Sequence, residues 1–353
     1  AATDDVAVEG NENYTVSLSN PVSATGGSVT LGPSAVATTT IFDNDAATVS
    51  IAATTDGNEA GPSNGRFTVT LSTTSITDTV VDYVVTGTAN SGSDFAPVTG
   101  QVTILAGDTT ATIDVLTIDD GVIEGDESVA ITLTGIASGE PSIGIGGIIS
   151  DSISLADNDS ATWTISGDGA VAEGSTASYD VVLSGSFQNG EAASVDLLLA
   201  DVDTTSGDYA DFSAAVASAV AAYSGPGSYS LVGSTLTWTA TADGQSAAPL
   251  TISLGAVDDA TVEASEDYTI SLANPASTSG AAVSLGGTTA VTTTITDNDV
   301  ATVSIAATSD GAEAGLGIGE FTVTMTNPAS TDTVITYTVA GSAASGDDFT
   351  PLS

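Results

Sequence analysis

Residues 117 to 133 read TIDDGVIEGDESVAITL and place Asp119, Asp120, Glu124, Asp126 and Glu127 within nine positions. Carboxylates at this density suit two kinds of chemistry. A pair of them can exchange protons in glycoside hydrolysis, or a convergent group can hold a hard cation through oxygen ligands alone. No lysine or arginine lies nearby to neutralise them. The whole chain of 353 residues carries 45 acidic residues against one arginine, Arg66, with no histidine or cysteine and a formal charge of −44. Two like charges about 4 Å apart repel by about 1 kcal/mol in water and about 4 kcal/mol at a protein surface. A domain's total stability is only about 5–15 kcal/mol. One arginine cannot offset that repulsion, so the counter-charge must come from outside. Ca²⁺, which takes six to eight oxygen ligands in irregular geometry, fits the donor set. Zinc and copper, which favour imidazole and thiolate, do not. Neither the EF-hand spacing nor the glycine-rich calcium nonapeptide is present.

The composition excludes several other functions. Without His, Lys or Cys the usual general bases and activated nucleophiles are missing, so the chain does not read as an enzyme. Nucleic acid and anionic membrane surfaces need basic clusters that are absent. A hydrophobic content of 41% argues for a folded protein with an acidic surface rather than an acidic disordered chain. No apolar run approaches the length of a membrane span, and no leader is visible. The pattern starts and stops in mid-repeat, as in a piece of something longer. Trp163 and Trp238 lie in phase with the apolar positions of their strands and are expected in the core rather than on a sugar-stacking platform.

These carboxylates are positioned by a repeat. AATDDVAVEGNENYTVSLSNP (1–21) recurs as GAVDDATVEASEDYTISLANP (255–275), at an offset of about 254 residues with roughly 55 of 99 positions identical. A shorter period lies inside it, marked by Asp-Asn-Asp at 43–45, 157–159 and 297–299. The marks divide the chain into the C-terminal part of a unit (1–45), two whole units (46–159 and 160–299) and the N-terminal part of another (300–353). Each unit is rich in Val, Ile and Thr and alternates apolar with polar residues. In the first whole unit this predicts strands at 66–72, 79–87, 100–107, 110–118, 128–135 and 151–157 after an opening ATVSIAA. About seven short strands per unit, separated by Gly, Asn, Asp and Ser turns, predict an all-β chain of tandem Ig-like antiparallel sandwiches. The second whole unit carries an insert near 211–235. Its segment DFSAAVASAVAAY is Ala-rich and predicts one short helix. That insert is either a helical loop packed on its sandwich or a contact surface for homo-polymerisation or lateral assembly.

Aligning the units brings their acids into register. The first whole unit has Glu59, Asp94, Asp119, Asp120, Glu124, Glu127, Asp157 and Asp159. At the same positions the second has Glu173, Asp208, Asp258, Asp259, Glu263, Glu266, Asp297 and Asp299. The leading part keeps Asp4, Asp5, Glu9, Glu12, Asp43 and Asp45, and the trailing part keeps Glu313 and Asp348. Asp and Asn are ordinary turn residues, and an isolated Asp-Asn-Asp would read as turn punctuation. Turn chemistry does not, however, require Glu124 and Glu127 beside Asp119 and Asp120.

With these motifs in fixed order the chain resembles the Calx-β family, the tandem β-sandwich domains first recognised in sodium–calcium exchangers and common in bacterial surface proteins. The residues behind the resemblance are the early Glu-Ala-Gly or Glu-Gly (59–61, 173–174, 313–315) and the Ser-Gly step to Asp-Phe or Asp-Tyr (91–95, 206–209, 345–349). With them come the Asp-Asp-x₃-Glu-x₂-Glu block (119–127, 258–266) and the closing triplet. The resemblance implies that the carboxylates named above are calcium ligands gathered on loops at one end of each sandwich. Asn44, Asn158 and Asn298 stand in the middle of the triplets, where an amide oxygen can still coordinate. Ser265 replaces the acid found at Asp126, which implies weaker or fewer sites in the second unit.

Two kinds of function follow. One is a calcium-stiffened structural repeat of a long extracellular bacterial surface protein, stalk or filament, with neighbouring repeats as its main partners. The other is an extracellular module whose repeats recognise a glycan, a surface or a protein. Near-copies at a fixed period favour the first, because repetition lengthens an object whereas recognition needs one distinctive site. Scarcity of Lys and Arg also suits a surface exposed to trypsin-like proteases.

Overall fold

The computed structural model describes residues 2–352. Strand alternation sets its main feature. In Ala47–Thr55 the side chains of Ala47, Val49 and Ile51 are buried and their neighbours face outward. Gly65–Leu71 repeats the pattern through Phe67, Val69 and Leu71. These strands lie in a sheet ordered Ile143–Ile145, Ala47–Thr55, Gly65–Leu71, Thr110–Val115. A second sheet, ordered Gly57–Asn58, Ser150–Ala156, Glu127–Ser138, Thr79–Gly87, Gln101–Ile104, faces it. Apolar residues from both sheets form one continuous core. This is the sandwich that the alternation predicts.

The next domain repeats the arrangement. One sheet runs Leu250–Gly255, Thr176–Leu183, Ser160–Gly167, Ala282–Leu285. The other runs Ala170–Ala172, Ala290–Thr296, Glu266–Ser277, Ala192–Asp201, Thr235–Thr239, Ser228–Val232. Trp163 and Trp238 are fully buried in its core, as their phase predicts. The Trp238 ring meets Phe187 edge-on at 5.3 Å. The hydroxyls of Tyr179 and Tyr268 hydrogen-bond at 2.7 Å, which satisfies two polar groups inside the apolar layer.

Antiparallel pairing dominates, but alternation does not reveal how the sandwich edges close. The first strand of each domain crosses from one sheet to the other and pairs in parallel with the last. Leu155 and Ala156 thus lie opposite Gly57 and Asn58, and Ile295 and Thr296 opposite Val171 and Ala172. Gly57 permits the crossing. A β-carbon there would sit 2.4 Å from Leu155 Cδ2 and 2.6 Å from Thr117 Oγ1.

The insert forms the helix Phe212–Ala222 followed by the hairpin Ser228–Val232 with Thr235–Thr239. Asp211 caps the helix, its carboxylate accepting the Ala214 N–H at 3.0 Å. Val216 is buried, and Phe212, Ala215, Ala219 and Val220 pack against the same core. The helix is therefore part of its own sandwich. Flanking these domains are two further hairpins, Glu12–Ser17 with Val36–Ile41 and Val303–Ser309 with Glu320–Met325. Among the described residues no helix is long and apolar enough to cross a membrane.

Candidate metal centre

The crossing of the opening strand builds the first acidic cluster. Parallel pairing of 155–156 with 57–58 carries Glu59, from the start of the domain, against Asp157 and Asp159 at its end. One oxygen from each of the three lies within 4.8 Å of the others. A second group forms from loops at the same end. Asp94 follows Thr79–Gly87, while Glu124 and Glu127 lead into Glu127–Ser138, and their oxygens are as close together. Asp119 and Asp120 lie beside the first group, where both raise the pKa of Glu59.

Burial makes these groups unlike ordinary surface acids. Glu59, Asp94 and Glu124 are the buried carboxylates among the described residues, with 5%, 2% and 8% exposure. Several of their oxygens have no hydrogen-bond donor at all: Asp94 Oδ1, Glu127 Oε2 and Asp159 Oδ2 in this domain, Glu173 Oε2 and Asp299 Oδ2 in the next. A buried carboxylate oxygen without a partner is costly, and a cation satisfies several at once. Desolvation, with the neighbouring negative charges, pushes Glu59 up to about 7 and Glu124 and Glu127 to about 8. The lone arginine gives no relief. Arg66 Nε pairs with Asp114 at 2.6 Å on an exposed strand surface.

Other predicted ligands also hold the backbone. Asp157 accepts the N–H groups of Glu124 at 3.1 Å and Gly125 at 3.2 Å through Oδ2, and that of Asp159 at 2.8 Å through Oδ1. Asp297 does the same for Glu263 and Asp299, and Asp43 for Glu9 and Asp45. Asp120, Asp259 and Asp5 each accept the N–H two residues on. The acidic triplet therefore does the turn-forming work that its residue types predict, besides joining the carboxylate groups. The middle Asn steadies its neighbours. Asn158 presents its amide nitrogen to Asp119 at 3.0 Å, and Asn298 donates to Asp258 at 3.2 Å, so each orients a carboxylate from its neutral NH₂ end.

The second domain is looser. Glu173, Asp297 and Asp299 gather as in the first. Glu266 is pushed up to about 7 by desolvation, then by the neighbouring carboxylates of Asp208 and Glu263. Asp208, Glu263 and Glu266, the counterparts of Asp94, Glu124 and Glu127, do not form a comparably tight group of three. In the leading segment Glu9 is raised by desolvation, then by Asp5, Glu12, Asp43 and Asp45, so these acids lie close together, with Asp4 acting on Asp45. Glu313 and Asp348 are exposed and join no such group.

The family model for the Calx-beta domain matches residues 1–45, 48–166, 224–299 and 296–353. The chain belongs to the Calx-beta family. The interval without a match, 167–223, contains the helix Phe212–Ala222 of the second Calx-beta domain. Solved structures similar to this chain include CBD12 from CALX1.2, at 14% identity and TM-score 0.28 over 70% of this chain and 99% of that one. The apo-form Calx CBD1 domain matches at 20% identity and TM-score 0.26, over 32% of this chain and 99% of that one. A Salmonella alpha-2-macroglobulin matches at 10% identity and TM-score 0.25, over 80% of this chain and 19% of that one. No curated protein matches. Calx-beta domains bind calcium, and the acidic groups here have the donor chemistry for it.

Sequence reasoning missed one set of residues in these Calx-beta loops. The third residue between Asp-Asp and Glu is Val8, Ile123 or Val262. Each leaves its own domain. Ile123 is 1% exposed and belongs to the core of the following domain, and Val8 is buried in the core of residues 46–159. Val262 forms a parallel bridge with Ala329. An apolar residue fixed inside an acidic loop was the available signal.

Replacing Asp94 by Asn tests the buried group. It removes a charge whose Oδ1 has no partner and keeps the side-chain shape. Thermal melts in chelator should show a higher Tm than wild type, while calcium affinity falls about tenfold. A lower Tm in chelator together with unchanged affinity would show that Asp94 holds the loop and no ion.

Proposed function

We propose that this chain is a calcium-stiffened structural repeat of a long extracellular bacterial surface protein or filament, with domain boundaries at the Asp-Asn-Asp triplets (46–159 and 160–299). Glu59, Asp157 and Asp159, with Asp119 and Asp120 beside them, would hold one cation of the first domain, and Asp94, Glu124 and Glu127 another. Glu173, Asp297 and Asp299 would do so in the second. Calcium supplies the positive charge that these buried carboxylates lack.

The observation that carries this reading is the double use of loop 119–124. It bears the ligands of one domain, and the next domain grips it. Val122 and Ile123 pair in parallel with Ser186 and Phe187. The carbonyl of Ile123 accepts the Gln188 N–H at 3.2 Å, and its side chain fills a slot under Gly185, where a β-carbon would lie 2.4 Å from Ile123 Cδ1. Asp157, at the start of the linker, clasps the same loop from the other side. The linker itself is too short to act as a free coil, since Ser160–Gly167 begins directly after Asp159. Repulsion among the carboxylates works against all three attachments, and a bound cation removes it.

Small-angle scattering of the whole chain measures the consequence. In millimolar calcium the particle should be longer and stiffer than in chelator. The same maximum dimension and flexibility in both would refute stiffening even if calcium bound. An extracellular setting is supported by the scarcity of Lys and Arg, and in such a setting calcium sites with Kd of about 10⁻⁴–10⁻³ M suffice.

A further inference from the structure

The second domain reaches into the calcium group of the first with one side chain. Gln188 follows the two residues, Ser186 and Phe187, that pair with Val122 and Ile123. Its Nε2 lies 3.1 Å from Glu124 Oε1, and it is near enough to Glu127 to favour that carboxylate's charged form. Both are members of the group completed by Asp94, a residue 2% exposed with Oδ1 lacking any partner. A carboxamide carries an oxygen and a nitrogen on the same terminal carbon, and a half-turn about its last bond exchanges them. Calcium readily takes such neutral oxygens alongside carboxylates.

We infer that Gln188 is a ligand donated by the second domain, so that the Asp94–Glu124–Glu127 site is shared across the junction. This rests on the reading that calcium occupies that group. Without the ion Gln188 holds Glu124 through its NH₂ end, and with the ion the half-turn brings its carbonyl end into the coordination. The ion then ties the domains together directly.

The other junctions lack this residue. The backbone N–H that meets Ile123 belongs to Gln188, the one that meets Val8 belongs to Ile76, and the one that meets Val262 belongs to Ser330. The Ile76 side chain offers no oxygen, and the Ser330 hydroxyl is two bonds shorter in reach than the Gln carboxamide. Ile76 and Ser330 stand one long period apart, at the same kind of junction. The ion-bridged junction thus occurs at one of these three boundaries, between two joints held by the apolar plug and the loop alone.

Calorimetric calcium titration of the whole chain, with distance distributions between spin labels placed on the two domains, tests this with three variants. Gln188→Leu removes the oxygen and should weaken one class of site about tenfold and broaden the inter-domain distances in calcium. Gln188→Glu supplies a carboxylate oxygen and should bind at least as tightly as wild type. An unchanged isotherm for Gln188→Leu overturns the inference. So does a Gln188→Glu variant as weak as Gln188→Leu, because a residue needed only as an N–H donor is lost equally in both. The double variant Glu124→Gln with Glu127→Gln isolates the underlying reading. If it leaves the isotherm intact, calcium does not bind at this group, and both the reading and the inference fall together.

Discussion

In chelator, raising the pH from 5 to 8 lowers the melting temperature of the first domain by roughly 10–20 °C, corresponding to a few kcal/mol for a domain of this size. The cause is the set of buried glutamates. Burial and like charges push Glu59 up to about 7 and Glu124 and Glu127 to about 8. In the unfolded chain each titrates near the ordinary glutamate value. Between the two values the folded state therefore holds protons that the unfolded state has already released. Stability falls wherever the folded state binds more protons, so it declines as pH rises from about 4.5 through about 8. Calcium reverses the slope. Ligands must be deprotonated to coordinate, so binding tightens with pH and releases protons. Differential scanning calorimetry at several pH values, with chelator and with calcium, measures both. A chelator profile that is flat or rises across this window would show that the three glutamates are not held together as the structure has them.

Replacing Ile123 by Ala should destabilise the second domain rather than the one that encodes the residue. Ile123 is 1% exposed, lies in the same core as Trp163, Leu183 and Phe187, and sits directly over Gly185. Truncating a buried isoleucine costs about 2–5 kcal/mol, through lost transfer energy and the cavity left behind. For a domain of this size that lowers Tm by roughly 5–20 °C. Domain-resolved hydrogen exchange can assign the loss. Protection should fall in Ser160–Gly167 and Thr176–Leu183, with strands Gly65–Leu71 and Glu127–Ser138 unaffected. Loss confined to the first domain would mean that the plug is not anchored across the junction. Gly185→Ala should produce the same pattern by occupying the slot.

The sandwiches were legible because each long strand states its own burial. Gly65–Leu71 alternates in sequence as it alternates in space. The recurrence of acids at fixed offsets was equally visible. Which acids meet was not. Glu59 and Asp157 come together through a two-residue parallel pairing, too short to leave any propensity signal. Asn158 offers both an oxygen and a nitrogen, and only the fold shows that the nitrogen meets Asp119. Ile123 and Gln188 escaped notice for a shared reason. Each does its work in the domain next to its own, and a reading of one unit at a time assigns every residue to the unit that encodes it.

That transfer gives the chain a direction. Val8 serves the domain after it, Ile123 serves the domain after that, and Val262 bonds to the segment that follows in turn. Every one of these apolar donors precedes its recipient. During synthesis from the N-terminus, the plug is already displayed when the slot that receives it emerges, so each finished domain templates the closing of its successor. In the assembled array the stability that comes from apolar packing is likewise inherited from one side only. Loosening a domain weakens the one downstream of it, while its upstream neighbour keeps its full core. Damage spreads toward the C-terminus, as it does along a row of buttoned flaps where each button is sewn to the flap before.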